Sequence, residues 1–182
     1  MSRRFTNITD DQWRILVADV AEALELREGE TVFEMHCGSG AFLLPLYEAG
    51  CAVGGIDADP ALIALARHDM PTGEWAVGDA PDFVRPQAGQ EPAAQTKWDV
   101  VMARGVLEAA TTLADAAVLL GQMVANARRA VAILDVPSGL PFDERWFLRT
   151  LSALGATSMR LPDLRVEEYA SSPHFNVIAR LS

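Results

Sequence analysis

The run Thr31-Val32-Phe33-Glu34-Met35 leads straight into His36-Cys37-Gly38-Ser39-Gly40, and a helix-forming stretch follows. A short apolar and β-branched run of this kind becomes a strand covered on both faces. Glycines directly after it allow a tight turn, because glycine accepts positive φ without a Cβ clash. The chain is thereby confined to folds in which a buried parallel strand feeds a helix, and the same step recurs. Cys51 to Ile56 reads as a second strand, and Pro60 to Arg67 as a helix with proline in its first turn. Trp75-Ala76-Val77 and Trp98 to Ala103 read as strands, separated by Pro81 to Lys97, a loop with one helical turn that is rich in Pro, Gln, Gly and Ala.

Leu113 to Val124 has the periodicity of an amphipathic helix, Ala130 to Leu134 is the most apolar strand, and Phe142 to Leu154 reads as a helix. Ser158 to Leu161 and Phe175 to Leu181 offer two further strands. Ahead of all this, Trp13, Ile15, Leu16, Val20, Ala23 and Leu24 recur at helical spacing behind Thr9-Asp10-Asp11, which predicts a capped helix from about Asp10 to Arg27. The expected fold is α/β: a doubly wound, mostly parallel seven-stranded sheet with helices on both faces and an antiparallel C-terminal strand. One domain spans 1–182 in this reading, with 1–28 as an N-terminal helix and a lid in which Phe5 and Trp13 close over the site. Core packing or an interface is the other use for those two aromatics.

With 182 residues the chain can bury a full core, and with half its residues apolar it is too apolar for disorder. Fifteen Lys and Arg against twenty-five Asp and Glu leave a net charge of −10, which disfavours nucleic acid as a partner. No apolar run is long enough to span a membrane, and Met1 to Phe5 carries basic residues with no apolar stretch after them, so a cytoplasmic location without membrane contact is expected. Cys37 and Cys51, the two cysteines, indicate neither a disulfide framework nor a metal site.

Ligands of open parallel sheets collect beyond the carboxyl ends of the strands, where strand order reverses. The glycine turn falls there, and Asp57 follows seventeen residues after Gly40. A carboxylate at the second strand's tip can accept both ribose hydroxyl hydrogens. Leu43 stands where a dinucleotide fingerprint needs a third glycine, and no Gly-Lys-Ser/Thr follows, so both phosphate-binding readings weaken. A nucleoside without pyrophosphate remains. The excess of acid near the turn suits a cofactor with cationic groups, and S-adenosylmethionine carries a sulfonium and an ammonium.

Glu34 to Gly40 resembles the first motif of the class I S-adenosylmethionine-dependent methyltransferases, an acidic residue followed by Gly-x-Gly-x-Gly. Four more blocks resemble that family in its order: Gly55-Ile56-Asp57-Ala58-Asp59-Pro60, Val77-Gly78-Asp79-Ala80, Trp98 to Leu107, and Ala132-Ile133-Leu134-Asp135-Val136-Pro137. The resemblance implies that Gly38 and Gly40 approach the methionine and ribose portions and that Glu34 supports the cofactor's amino group directly or through water. It implies further that Asp57, with Ala58 beside it, binds the ribose, that Asp79 and Ala80 face the adenine, and that Ala103 and Arg104 supply backbone carbonyls to the ammonium. Met102 and Val106 pack on the adenosyl group in the same picture. His36 departs from the pattern by replacing the motif's first glycine.

Each of these residues also has a plainer use. His36 is either a general base near the transferring methyl or a turn residue; His174, opening the last strand, is a second candidate base; His68 suits a helix end. Asp57 could cap the next helix, Asp79 could end a turn, and Glu108 could form a surface pair with Arg104 one helical turn away. Cys37 reads as packing. The activity implied is methyl transfer to an oxygen, nitrogen or sulfur nucleophile, without metal and with a base optional. A small-molecule acceptor is expected, and a homodimer would supply the missing wall of a pocket this small chain barely closes. The alternatives are a binding or partner subunit of the same fold without methyl transfer, and the same fold running other chemistry such as aminopropyl transfer.

Overall fold

A computed structural model of the chain describes residues 9–79, 97–108, 110, 112–138, 143–162 and 174–182. Helix α1 (Asp10–Leu24) begins with a reciprocal cap: the Thr9 hydroxyl accepts the Gln12 N–H, and the Gln12 side chain accepts the Thr9 N–H. It stops before the expected Arg27 because Glu25 turns left-handed, at φ 53°, and closes its N–H on the Ala21 and Glu22 carbonyls. Then follow β1 (Thr31–Met35), α2 (Leu43–Glu48), β2 (Ala52–Asp57), α3 (Pro60–Asp69), β3 (Glu74–Val77), β4 (Trp98–Arg104) and a 3-10 turn at Val106–Glu108. The chain continues through α4 (Leu113–Asn126), β5 (Ala127–Pro137), α5 (Glu144–Ala153), β6 (Ala156–Arg160) and β7 (His174–Leu181). Phe5 and the stretch expected as loop from Pro81, apart from Lys97, lie outside the described residues.

The strands form one seven-stranded sheet in the order β3-β2-β1-β4-β5-β7-β6. β7 runs antiparallel to both of its neighbours, and the other pairs are parallel. This is the doubly wound sheet with an antiparallel C-terminal strand that the repeated strand and helix steps predict. Strand order reverses between β1 and β4, so a crevice opens beyond their carboxyl ends.

Alternation along the strands sorts side chains into two cores. Phe33, Val101, Ala103, Val131 and Ile133 face α4 and α5, where Leu120, Met123, Phe147 and Leu151 meet them. Val32, Val100, Met102, Ala132 and Leu134 face α1 and α2, packing with Leu16, Val20, Leu24, Leu43 and Leu46. β5 breaks this alternation near its end: Val136 joins the first core although its parity matches the second, because the register with β7 shifts between Ile133 and Val136. Asp135 sits in that irregularity at φ 60°.

α1 has no basic residue in its own last turn, and the sheet supplies the cations instead. Arg129 and Arg180 donate to the Leu24 carbonyl at 2.7 and 3.0 Å, and Arg160 donates to the Ala23 carbonyl at 2.6 Å. These guanidiniums satisfy carbonyls that have no partner within the helix and face the negative end of its dipole. The helix is thus fixed at its C-terminal end while Trp13, near its N-terminal end, reaches the glycine turn.

Candidate functional site

The turn after β1 is built from three left-handed residues, His36 at φ 55°, Gly38 at 56° and Gly40 at 72°. A Cβ on Gly38 would find its nearest neighbour 3.9 Å away, so glycine is needed there for conformation rather than space. Gly40 is needed for both, since a Cβ would stand 2.6 Å from the Met70 methyl and 3.1 Å from the Trp75 ring. His36 is exposed and keeps the left-handed backbone that a glycine would have taken, a conformation His adopts more readily than most side chains. Cys37 is buried, its sulfur filling the space a Cβ on Gly55 would need. Burial pushes its thiol up, and the Glu34 and Asp57 carboxylates add to the effect, the reverse of what a reactive thiolate needs.

Asp57 ends β2 half-buried, with both carboxylate oxygens engaged by backbone. Oδ2 accepts the Gly38 N–H at 2.8 Å and Oδ1 accepts the Asp59 N–H at 2.9 Å. The cap of α3 falls to Asp59, whose Oδ1 accepts the Ala61 N–H at 2.8 Å. Asp57 therefore locks the glycine turn to the second strand, and each of its oxygens keeps a further lone pair.

Glu34 lies at the tip of β1 with only 1% of its surface exposed. Burial raises its carboxyl from 4.5 to about 7, with Arg104 opposing and Asp57 reinforcing the shift. Its Oε1 stands 3.8 Å from Arg104 Nε, beyond hydrogen-bond length, and its Oε2 is buried without a hydrogen-bond partner. The Arg104 guanidinium lies over two rings, 5.1 Å from the Trp13 centroid and 5.7 Å from that of Phe42. Trp13 in turn donates its indole N–H to the Ala41 carbonyl at 2.9 Å and meets Phe42 edge to face. Arg104 closes strand β4, which brings its guanidinium beside Glu34 of the neighbouring strand; the side chain of Glu108, the partner expected one helical turn away, lies outside the described residues. Parity could have revealed the contact with Glu34, which pairs in register with Met102, and Arg104 is the next side chain on the same face.

Ala58 and Asp79 are exposed beyond β2 and β3, Ala103 is buried in β4, and Ala80 lies outside the described residues. His68 occupies the last turn of α3, exposed. His174 is away from the glycine turn, on β7, where its Nε2 stands 3.4 Å from Asp135 Oδ1 and both side chains are nearly buried. The Asp135 N–H donates to Asn176 Oδ1 at 3.0 Å, which holds the irregular end of β5. A carboxylate inside the otherwise apolar run Ala132 to Val136 is the sequence signal that marks Asp135 as a candidate site residue.

Strand order, glycine turn and crevice define the class, a Rossmann-like doubly wound sheet. A family model described as a methyltransferase domain matches residues 33–132, and the chain belongs to that family, the class I S-adenosylmethionine-dependent methyltransferases. Among curated relatives, the 23S rRNA (uracil(1939)-C(5))-methyltransferase RlmD of Neisseria lactamica (strain 020-06) is 37% identical over 65 residues, 36% of this chain. The chain spans only 14% of that protein's length. Among solved structures, CalS10, an amino pentose methyltransferase from Micromonospora echinaspora, aligns with a TM-score of 0.74 and 15% identity over 98% of this chain and 94% of its own. Magnesium protoporphyrin IX methyltransferase (ChlM) from Synechocystis PCC 6803 aligns with a TM-score of 0.70 and 16% identity, covering 99% of this chain and 88% of its own.

Proposed function

We propose that the chain transfers a methyl group from S-adenosylmethionine to an oxygen, nitrogen or sulfur atom of a small molecule. The observation that carries this reading is Glu34 Oε2, a buried oxygen at the mouth of the crevice with no hydrogen-bond partner. Leaving such an atom unpaired costs about 1–3 kcal/mol, and an ammonium donor from the cofactor would remove that cost. The other residues fit the same ligand. Gly38 puts no side chain on the turn and so allows close approach of the ligand, and Asp57, held by the Gly38 and Asp59 amides, presents remaining lone pairs to ribose hydroxyls. Asp79 follows β3 on the side assigned to adenine, with Ala80 next in the sequence as its companion in that role, and Ala58, Ala103 and Arg104 lie at the strand tips between.

When bound, the cofactor would supply a methyl group activated by its sulfonium for in-line transfer to the acceptor's lone pair, with the thioether as leaving group. The chain's part is alignment and exclusion of water, which suffices for much of the acceleration once donor and acceptor are oriented. His36 at the turn and His174 beside Asp135 are the candidate groups for taking the acceptor's proton.

A small acceptor is supported by structural neighbours of similar length, since CalS10 and ChlM are aligned over 94% and 88% of their chains. The net charge of −10 points the same way. The RlmD similarity favours a second reading, an RNA acceptor, but covers a small fraction of that protein. Calorimetry with S-adenosylhomocysteine tests the cofactor half. Wild type should bind saturably, and Asp57→Ala should bind about 10- to 100-fold more weakly with an unchanged circular dichroism spectrum. Equal affinities for the two proteins would refute the assignment. Mass analysis of small amines, phenols, thiols and ribosomal RNA incubated with labelled cofactor tests the acceptor half: label on RNA alone would replace the small-molecule reading, and binding without turnover on any acceptor would favour a non-catalytic subunit.

A further inference from the structure

We propose that the Glu34 carboxyl trades a proton for the ammonium of the cofactor, so that cofactor binding releases a proton and weakens in acid. The proposal rests on the cofactor reading above and adds a proton to its balance. Its basis is the place that β1 gives this side chain. In the sheet Glu34 lies between Gly55 of β2 and Met102 of β4, neither of which offers a polar side chain, and it is 1% exposed. Its Oε2 has no hydrogen-bond partner there. A carboxylate without a donor in such surroundings costs far more than a neutral carboxyl, so the empty crevice favours the acid form. An ammonium brings the missing donor together with a compensating charge, and the pair favours the ionised form instead. The carboxyl therefore holds either a proton or an ammonium, and the displaced proton leaves to solvent.

Groups from each neighbouring element act on this carboxyl. Arg104 of β4 favours the ionised form, its Nε 3.8 Å from Oε1, and Asp57 of β2 favours the acid form. Cys37 of the turn is buried and held protonated, so it adds no charge. Arg14 of α1 and Glu48 of α2 pair with each other on the exposed surface. Burial outweighs Arg104, and the Glu34 carboxyl is raised to about 7. Below that pH it is largely protonated while the crevice is empty, and an ammonium beside it lowers the pH at which the proton is given up. Affinity is therefore full above about pH 7 and falls as pH drops below it. His36, exposed on the same turn, is the other group whose proton bears on an arriving cation.

Calorimetry with S-adenosylhomocysteine at pH 6, run in two buffers of different ionisation enthalpy, counts the protons released. Wild type should release about one proton per ligand bound and should bind about tenfold more tightly at pH 7 than at pH 5.5. 5′-Methylthioadenosine, which lacks the amino-acid end, should release none and bind equally at both. Glu34→Gln should bind S-adenosylhomocysteine without proton release and with one affinity at the two pH values, and wild-type affinity for methylthioadenosine certifies its fold. His36→Asn, a residue that accepts the left-handed turn, should keep the release. No release from wild type, a release that persists in Glu34→Gln, or one that disappears in His36→Asn would overturn the proposal while leaving the cofactor reading intact, and the wild-type count depends on no variant folding. Wild-type protein that binds neither ligand would overturn both.

Discussion

Glu34 shows how a single buried carboxyl can oppose stability while serving a ligand. Because its acid form persists to about pH 7 in the folded chain and only to about 4.5 when exposed, the cofactor-free fold holds a proton that the unfolded chain releases between those values. The resulting stabilisation is complete below about pH 4.5 and lost as pH rises through 7. Its upper bound is on the order of 3 kcal/mol. Urea unfolding at pH 5 and pH 8 should therefore show a smaller fall for Glu34→Gln than for wild type, and parallel profiles would contradict this account. The same substitution should weaken S-adenosylhomocysteine, because an amide cannot pair with an ammonium as a carboxylate does. At Cys37 the reasoning runs toward inertness: buried and held protonated, it should resist a small thiol reagent in the native protein and react only after unfolding.

The elements were legible in proportion to how local their causes are. β1 keeps the bounds that its own apolar run sets, and α3 starts where proline and the Asp59 cap place it. β5 is longer than its apolar centre because α4 passes into it without a loop, and Ala127 is already extended. α5 starts at Glu144 because Asp143 caps it, its carboxylate accepting the Trp146 N–H. The contact between Arg104 and Glu34 was not legible from spacing along the chain, since it depends on which strands become neighbours. Gly40→Ala should destabilise by about 2 kcal/mol, combining left-handed strain with crowding against Met70 and Trp75. Asn176→Ala should cost about 1–3 kcal/mol by leaving the buried Asp135 N–H unpaired. Thermal or urea denaturation measures both, and wild-type stability in either variant would contradict the roles given to these contacts.

Across the whole molecule, the sheet divides the core in two, and the crevice lies on the side that α1 and α2 cover. α1 buries Leu16, Val17, Val20 and Leu24 and receives arginines from three strands at its end, which makes it a core helix with one aromatic extended toward the site. Its central amides should exchange hydrogen as slowly as those of β1, and exchange as fast as at the chain ends would mark it as a moving lid instead. Sequence placed the crevice through the turn and Asp57, whereas the Trp13, Phe42 and Arg104 stack needed the assembled sheet, because its members are distant in the chain. The most direct test of the account is an experimental structure with S-adenosylhomocysteine bound. Ribose hydroxyls on the Asp57 carboxylate and the amino group on Glu34 Oε2 are the predicted result; the ligand bound elsewhere, or the His36 ring filling the turn in its place, would contradict it.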